Sequence, residues 1–330
     1  MEEDKLKSDG IKRIARVLQV ILIPAMIYIV FLVLAPRRFG NIDSAIVIVT
    51  QTIVPSILAL GMCFGMGAGL FDLSMGSEIV LSSIIGGLCA MRFGLPGLIV
   101  GCVASGMILG AITGGLYTAL RIPSFVISLG MVLIYEVAGS SLSGSQNFIS
   151  LGSSLTILGS PLWTVAIGAL VFGIFTLIFY RTEFAYHVRA VGGDELVAKN
   201  MGVKVGLTKA LTYVVGGFFI GVVSILNVSY AGTVAAQLAM SSFSMVFMPM
   251  MGMIIGMQLL NVCSLPLGIF IGELSINMIF LGFMAVGLPS TLQNSVLGAF
   301  LLIVIGFSEN KRKLQRLFGG SKTVAVAATH

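Results

Sequence analysis

Four carboxylates stand inside otherwise apolar stretches of this chain: Asp72, Glu78, Glu136 and Glu273. Ionisable groups at such positions are costly in lipid and usually face a cavity or a partner. A proton- or ion-driven carrier would need more of them, paired with His, Lys or Arg. The two histidines are elsewhere, His187 in a polar loop and His330 at the last position. No Ser-His-Asp set, no His-x-x-Glu-His run and no paired-Asp motif is present, so intramembrane catalysis is not expected and no catalytic or metal-ligating residue is assigned. There is no G-x-x-x-x-G-K-[ST] loop either, so an ATP-driven process would need a second polypeptide to bind the nucleotide.

Two polar stretches remain. In Gly69-Leu70-Phe71-Asp72-Leu73-Ser74-Met75-Gly76-Ser77, Asp72 and Ser74 favour a helix cap and the glycines permit a sharp break. This reads either as a plain capped helix start or as a helix break lining a translocation path. In Thr182 to Val205, Gly192-Gly193 is expected to break the chain, Asp194 to cap a short helix over 194–201, and Gly202 to end it. That helix is either an ordinary interfacial one or a docking element for a cytoplasmic subunit.

The elements that position these stretches follow from composition. The 330 residues are 57% hydrophobic, with 19 basic and 13 acidic residues making 10% charged; the mean hydropathy is +1.06. A soluble domain carries roughly 25% charged residues, so this chain reads as an all-α integral membrane protein. At ~20 residues per span, ten apolar segments can be drawn, at 17–34, 45–66, 73–91, 97–119, 124–140, 162–180, 208–229, 242–260, 265–285 and 291–307. The third, after the Gly-rich break, reads as the one most open to being broken or re-entrant. The first is too long for the apolar core of a cleavable signal peptide.

The net charge of +6 marks topology here, not nucleic-acid binding. Lys5, Lys7, Lys12, Arg13 and Arg16 place tail 1–16 in the cytoplasm, and Lys311, Arg312, Lys313, Arg316 and Lys322 do the same for tail 308–330. The membrane domain is then 17–307, with the cytoplasmic loop 181–207 inside it. Arg37, Arg38 and Arg92 fall outside and oppose this orientation, but they are outnumbered. Arg121-Ile122-Pro123-Ser124 and Gly287-Leu288-Pro289-Ser290 each follow a Gly-rich span and open another. An inverted repeat of spans 2–5 and 7–10 would look like this, although Pro at a helix start is common by itself. Cys63, Cys89, Cys102 and Cys263 have no metal-ligand spacing and read as small packing residues.

Taken together, these stretches resemble the permease subunits of bacterial ABC importers for ribose-type sugars and autoinducer-2. That family's G-[IL]-D-L-S-V-G-S motif is similar to Gly69–Ser77, with Phe71 inserted and Met75 for Val. Its I-P-S-F-[IV] turn is similar to Ile122–Val126, with Leu129-Gly130 following. Its cytoplasmic loop is matched by Thr182, Phe184, Ala190, Gly192, Gly193, Asp194, Ala198 and Gly202, while Ala185 replaces a usual Gly. The resemblance covers about 45–310 and departs late. A Gly-Gly-rich run before the ninth span is replaced by a Met-rich one, with seven methionines between Met240 and Met257 that suit adaptable packing.

The resemblance implies a plasma-membrane transport subunit for a sugar or sugar-like molecule. It implies a second permease subunit, ATPase subunits that carry the ATP and Mg²⁺, and an extracytoplasmic substrate-binding protein; this chain itself would hold no cofactor. The path is expected at Asp72, Ser74, Ser77, Ser124, Phe125 and Ser128. ATPase coupling is expected at Gly192, Gly193, Asp194, Glu195, Ala198, Lys199 and Gly202. The alternatives are a nucleoside permease of the same superfamily, or a secondary carrier or channel working alone; a structural scaffold fits the polar breaks less well.

Overall fold

The computed structural model describes residue 22, residues 24–144, 148–152 and 155–289, and residues 292, 295, 296, 298, 299 and 302. Both basic tails and most of the tenth expected span lie outside the described residues. Within them the chain is helical, and seven helices are long and apolar enough to cross a membrane. In chain order the helices are α1 (Pro24–Leu34), α2 (Pro36–Phe39), α3 (Ile42–Gly67), α4 (Met75–Leu120), α5 (Ser124–Ser143), α6 (Pro161–Arg181), α7 (Glu183–Gly193), α8 (Glu195–Asn200), α9 (Val205–Ala231), α10 (Phe247–Gln258) and α11 (Leu265–Val286). Two short antiparallel strands, β1 (Phe148–Ser150) and β2 (Thr233–Ala235), pair with Ile149 opposite Val234.

α4 has 46 residues. At 1.5 Å per residue it would run to ~69 Å, more than twice the ~30 Å hydrocarbon core. It is a hairpin. Gly94 leaves helical geometry (φ 66°, ψ −152°), with Pro96 two residues on. The two arms then fold back until Gly86 lies against Cys102 and Gly101 against Cys89, so close that a Cβ on either glycine would overlap its neighbour. Here Cys89 and Cys102 act as packing residues. The arm that follows the 69–74 break is continuous: Gly94 is the one residue inside α4 with non-helical dihedrals. The third span, which the sequence leaves open to being broken or re-entrant, is continuous, because the polar break is completed before the helix begins.

A close helix crossing joins the second arm of α4 to α9. Gly106 meets the Gly217 carbonyl, Gly110 meets Tyr213, and Gly114 meets Ala210, with Gly221 against Val103 on the other side. Small residues four apart let two backbones approach where lipid gives no hydrophobic drive. A second such crossing joins α10 and α11, where Gly252 and Gly272 meet and Gly256 lies on Ile269. α11 is tied in turn to α3, because Asn277 Nδ2 donates to Ile48 O (3.0 Å) and lies 2.9 Å from Thr52 Oγ1. At one end of the bundle Phe64, Phe175, Phe184 and Phe219 form a ring cluster at 5.3–6.0 Å from Phe64. It clamps α3, α6, α7 and α9 together. Met251 and Met253 of the Met-rich run are fully buried.

Candidate functional site

α3 ends on a left-handed glycine. Gly69 (φ +73°) lets its own N–H reach Met66 O (3.0 Å) and the Leu70 N–H reach Gly65 O (2.9 Å), which satisfies two end carbonyls. The chain stays non-helical through Leu73. Asp72 Oδ1 then accepts from Ser74 N (2.9 Å) and Ser74 Oγ (2.6 Å). The same Ser74 hydroxyl lies 3.0 Å from Glu78 Oε1, bridging the two carboxyl groups. Thr113 Oγ1, from the far arm of α4, donates to Glu78 Oε1 (3.0 Å), and Tyr135 of α5 lies 2.9 Å from Thr113 Oγ1. Ser77 Oγ donates to Ser74 O (2.8 Å), and Phe71 N donates to Ser124 Oγ (3.0 Å). Asp72, Ser74, Ser77, Glu78, Thr113 and Tyr135 are all buried. Non-helical backbone at membrane depth survives only where protein or water satisfies it, and this chain of hydrogen bonds does so.

The structure thus brings Asp72, Ser74 and Ser77 together and hooks Ser124 onto them. It does not bring Phe125 or Ser128 into the same group. Phe125 is exposed, and buried Ser128 donates to Phe125 O of its own helix. The cap also differs from expectation: Ser74 makes no side-chain cap to the backbone of α4, and Asp72 alone supplies it through Ser74 N. Ser74 instead links two acids. Glu78 was visible as an in-span acid four residues after Ser74, but Thr113 and Tyr135 meet it only through the fold. Replacing Asp72 by Leu leaves the Ser74 N–H and hydroxyl without their shared acceptor. We expect Asp72→Leu to insert normally and to lose uptake at least about tenfold, in line with a buried donor left unpaired. Full uptake by that variant would reduce Asp72 to a plain cap.

A second break lies before α10. Ala239 and Met240 both have positive φ (58° and 62°), a conformation that costs a non-glycine residue about 1–2 kcal/mol. Glu136 holds them there. Its Oε2 accepts from Met240 N (2.8 Å), and its Oε1 accepts from Ser242 N (3.0 Å) and Ser242 Oγ (2.6 Å). One helix, α5, therefore grips both breaks: Ser124 holds the first and Glu136 the second, ~18 Å further along the axis. Glu273 of α11 stands apart. It is fully buried on Gly252, and neither carboxyl oxygen has a hydrogen-bond partner among the described residues.

The 181–207 segment holds two helices, not one. α7 fills Glu183–Gly193 and turns Ala185, Val188 and Val191 inward. Val188 packs with Ala68, Leu70 and Tyr213 at the first break. The expected break at Gly192-Gly193 is corrected: both glycines are helical, and the chain leaves the helix at Asp194 (φ −157°). Gly192 is there for contact, since a Cβ on it would overlap the Gly67 carbonyl, whereas one on Gly193 would meet nothing within 4 Å.

α8 spans Glu195–Asn200, inside the expected 194–201. Asp194 Oδ1 caps it, accepting from Leu196 N (2.9 Å) and Val197 N (3.0 Å). At the other end Gly202 (φ +88°) donates to Lys199 O (3.0 Å) and Val203 to Ala198 O (3.1 Å). Glu195 pairs with Lys209 of α9 at 2.7 Å. Ala198 is 1% exposed and faces its own protein, so it presents no outward surface. The outward groups are Lys199 and the apolar Leu196, Val197 and Met201, the side chains that suit a groove on a soluble partner.

Residues 44–305 match the family described as branched-chain amino acid transport system / permease component. The chain is 25% identical over 288 residues to the autoinducer 2 import system permease protein LsrD of Yersinia pseudotuberculosis serotype O:1b (strain IP 31758), covering 82% of this chain and 85% of that protein. The same figures hold for LsrD of Yersinia pestis (strain Pestoides F). It is 30% identical over 190 residues to the autoinducer 2 import system permease protein LsrC of Enterobacter sp. (strain 638), covering 55% of this chain and 54% of that one. No solved structure matches.

Proposed function

The chain belongs to the family of branched-chain amino acid transport system permease components, and from that premise and its likeness to autoinducer 2 import permeases we propose that it carries a sugar-like small molecule, with α8 as the surface its ATPase grips. It is a multi-pass inner-membrane subunit of an ATP-driven importer and not itself an enzyme. Hydrolysis belongs to separate ATPase subunits, which bind the ATP and Mg²⁺, and a substrate-binding protein serves the outer face. The sugar-like cargo is supported by relatives named as autoinducer 2 import permeases.

The observation that carries the coupling reading is the direct seat of α7 on the first break, Gly192 on Gly67 and Val188 beside Ala68 and Leu70. Force applied to α8 passes along α7 to the capped break at Asp72. α5 then spans from that break to the one held by Glu136, so both ends of the path move together as access alternates. A ten-span topology with both tails cytoplasmic is supported by the α4 hairpin, by apolar α1, and by the basic tails. An inverted repeat is supported by the contact pattern: the fourth span crosses the seventh, as the ninth crosses the second. The path closes against a second permease subunit, a like chain or a related one.

The test is uptake of a labelled ribose-type sugar into sealed vesicles holding the chain, its ATPase and its binding protein. Uptake should require ATP on the ATPase side and survive collapse of the proton and sodium gradients. Gradient-driven uptake by the chain alone would make it a secondary carrier instead.

A further inference from the structure

A cavity of about 420 Å³ opens among α3, α6, α9, α10 and α11. It lies in the half of the bundle away from α7 and α8. α6 enters it at Pro161 and Thr164 and reaches α7 only at its other end, while α9 starts beside α8 and brings Asn227 and Tyr230 to the cavity at its finish. The break at Asp72 does not line it. Its size lies within the ~300–1,000 Å³ of small-molecule sites.

Its walls are apolar with a few convergent amides and hydroxyls: Thr50, Gln51, Thr164, Asn227, Tyr230 and Asn277. No Asp, Glu, Lys or Arg lines it among the described residues. Gln51 Nε2 reaches Tyr230 OH at 3.4 Å, a long bond easily exchanged for one to a ligand. The Asn227 side chain makes no hydrogen bond among the described residues. Asn277 spends its Nδ2 on Ile48 O and Thr52 Oγ1, which leaves its carbonyl oxygen to accept another donor. Met245, Met248 and Met284 complete the wall with adaptable side chains.

We infer that this cavity is a cargo-binding site contained within one subunit, built for an uncharged polyhydroxylated molecule of monosaccharide size. The inference rests on the importer reading and adds to it where the cargo pauses and what it must lack. Amide and hydroxyl groups offer both donors and acceptors to a polyol, and the apolar wall covers its C–H faces. An amino acid or a sugar phosphate would bring in full charges with no countercharge, a large desolvation cost. The cavity thus selects against amino acids, the cargo in the family's own description.

Binding is read as heat by titration calorimetry, because Trp163, the chain's one tryptophan, does not line the cavity. The purified full-length chain is titrated with ribose, xylose and galactose, and with leucine and ribose 5-phosphate as charged controls. At least one neutral sugar should give a saturable binding signal, and neither charged compound should at the same concentrations. Gln51→Leu with Asn227→Leu should raise the half-saturation about tenfold, the effect of losing one or two hydrogen bonds to a neutral ligand. If that pair aggregates, Asn227→Ser is read in its place and should raise it about threefold, as for one neutral bond. No saturable change with any neutral sugar, equal response to the charged ones, or an unchanged variant overturns the inference. The titration needs no ATPase, so its failure leaves the importer reading standing, and loss of ATP dependence in the vesicle assay leaves the titration standing.

Discussion

Gly192→Val is expected to bring uptake below about a tenth of the wild-type rate, whereas Gly193→Val, one residue on, should transport normally. The difference is geometric. A Cβ on Gly192 overlaps the Gly67 carbonyl, and that neighbour is backbone, which cannot rotate away as a side chain would. Overpacking of this kind costs about 1–3 kcal/mol. The strain falls on the contact between α7 and the end of α3, so α7 must tilt or the turn through Gly69 must open. Either response displaces the Phe71 N–H from Ser124 and the Asp72 carboxylate from Ser74. A Cβ on Gly193 meets nothing within 4 Å, so Val there has open space beside it and costs only the local preference of a helix end. Uptake assays with protein levels measured in parallel separate the two. Equal transport by both variants would remove α7 from the coupling route.

Leu196→Glu with Met201→Glu is expected to reduce uptake at least about tenfold, as loss of an apolar anchor from an interface core does, with the chain's abundance unchanged. Leu196 is 74% exposed and Met201 78%, so neither stabilises the fold by burial, and charging them disturbs nothing inside. The helix that carries them is held at both ends, by Asp194 and by the Gly202 turn, and is pinned to α9 through Glu195 and Lys209. The ion pair is a surface one and is worth little alone; the caps are the stronger restraint. Ala198→Arg is not an equivalent test. Ala198 is buried against its own protein, so an Arg there would lift α8 off the bundle before any partner met it.

What was readable in the sequence is what depends on near neighbours. The spans follow from runs of apolar residues, and their expected ends lie within a few positions of α3, α5, α6, α9 and α11. Asp194 and Gly202 could be assigned as caps because a cap needs only the next two or three residues. The Asp72–Ser74 turn is local in the same way. What was not readable depends on residues far along the chain. Gly192-Gly193 looks like a chain break when the only evidence is two glycines in a row; that Gly192 stays helical follows from Gly67, which the sequence does not bring near it. α7 was missed for that reason, since its inward residues Ala185, Val188 and Val191 gain their burial from α3 and α9. Glu136 meets the backbone of Met240 104 residues away. The cavity amides come from three separate helices, so no spacing rule could have grouped Gln51 with Asn227 and Asn277.

The most direct measurement of the coupling reading is co-purification. The tagged full-length chain is extracted in mild detergent from cells that also make the importer's ATPase. The wild-type chain should bring down the ATPase in defined ratio, and the Leu196→Glu, Met201→Glu chain, recovered in equal amount, should bring down about a tenth as much or less. Equal ATPase recovery with both chains would contradict the assignment of α8 as the surface that the ATPase grips.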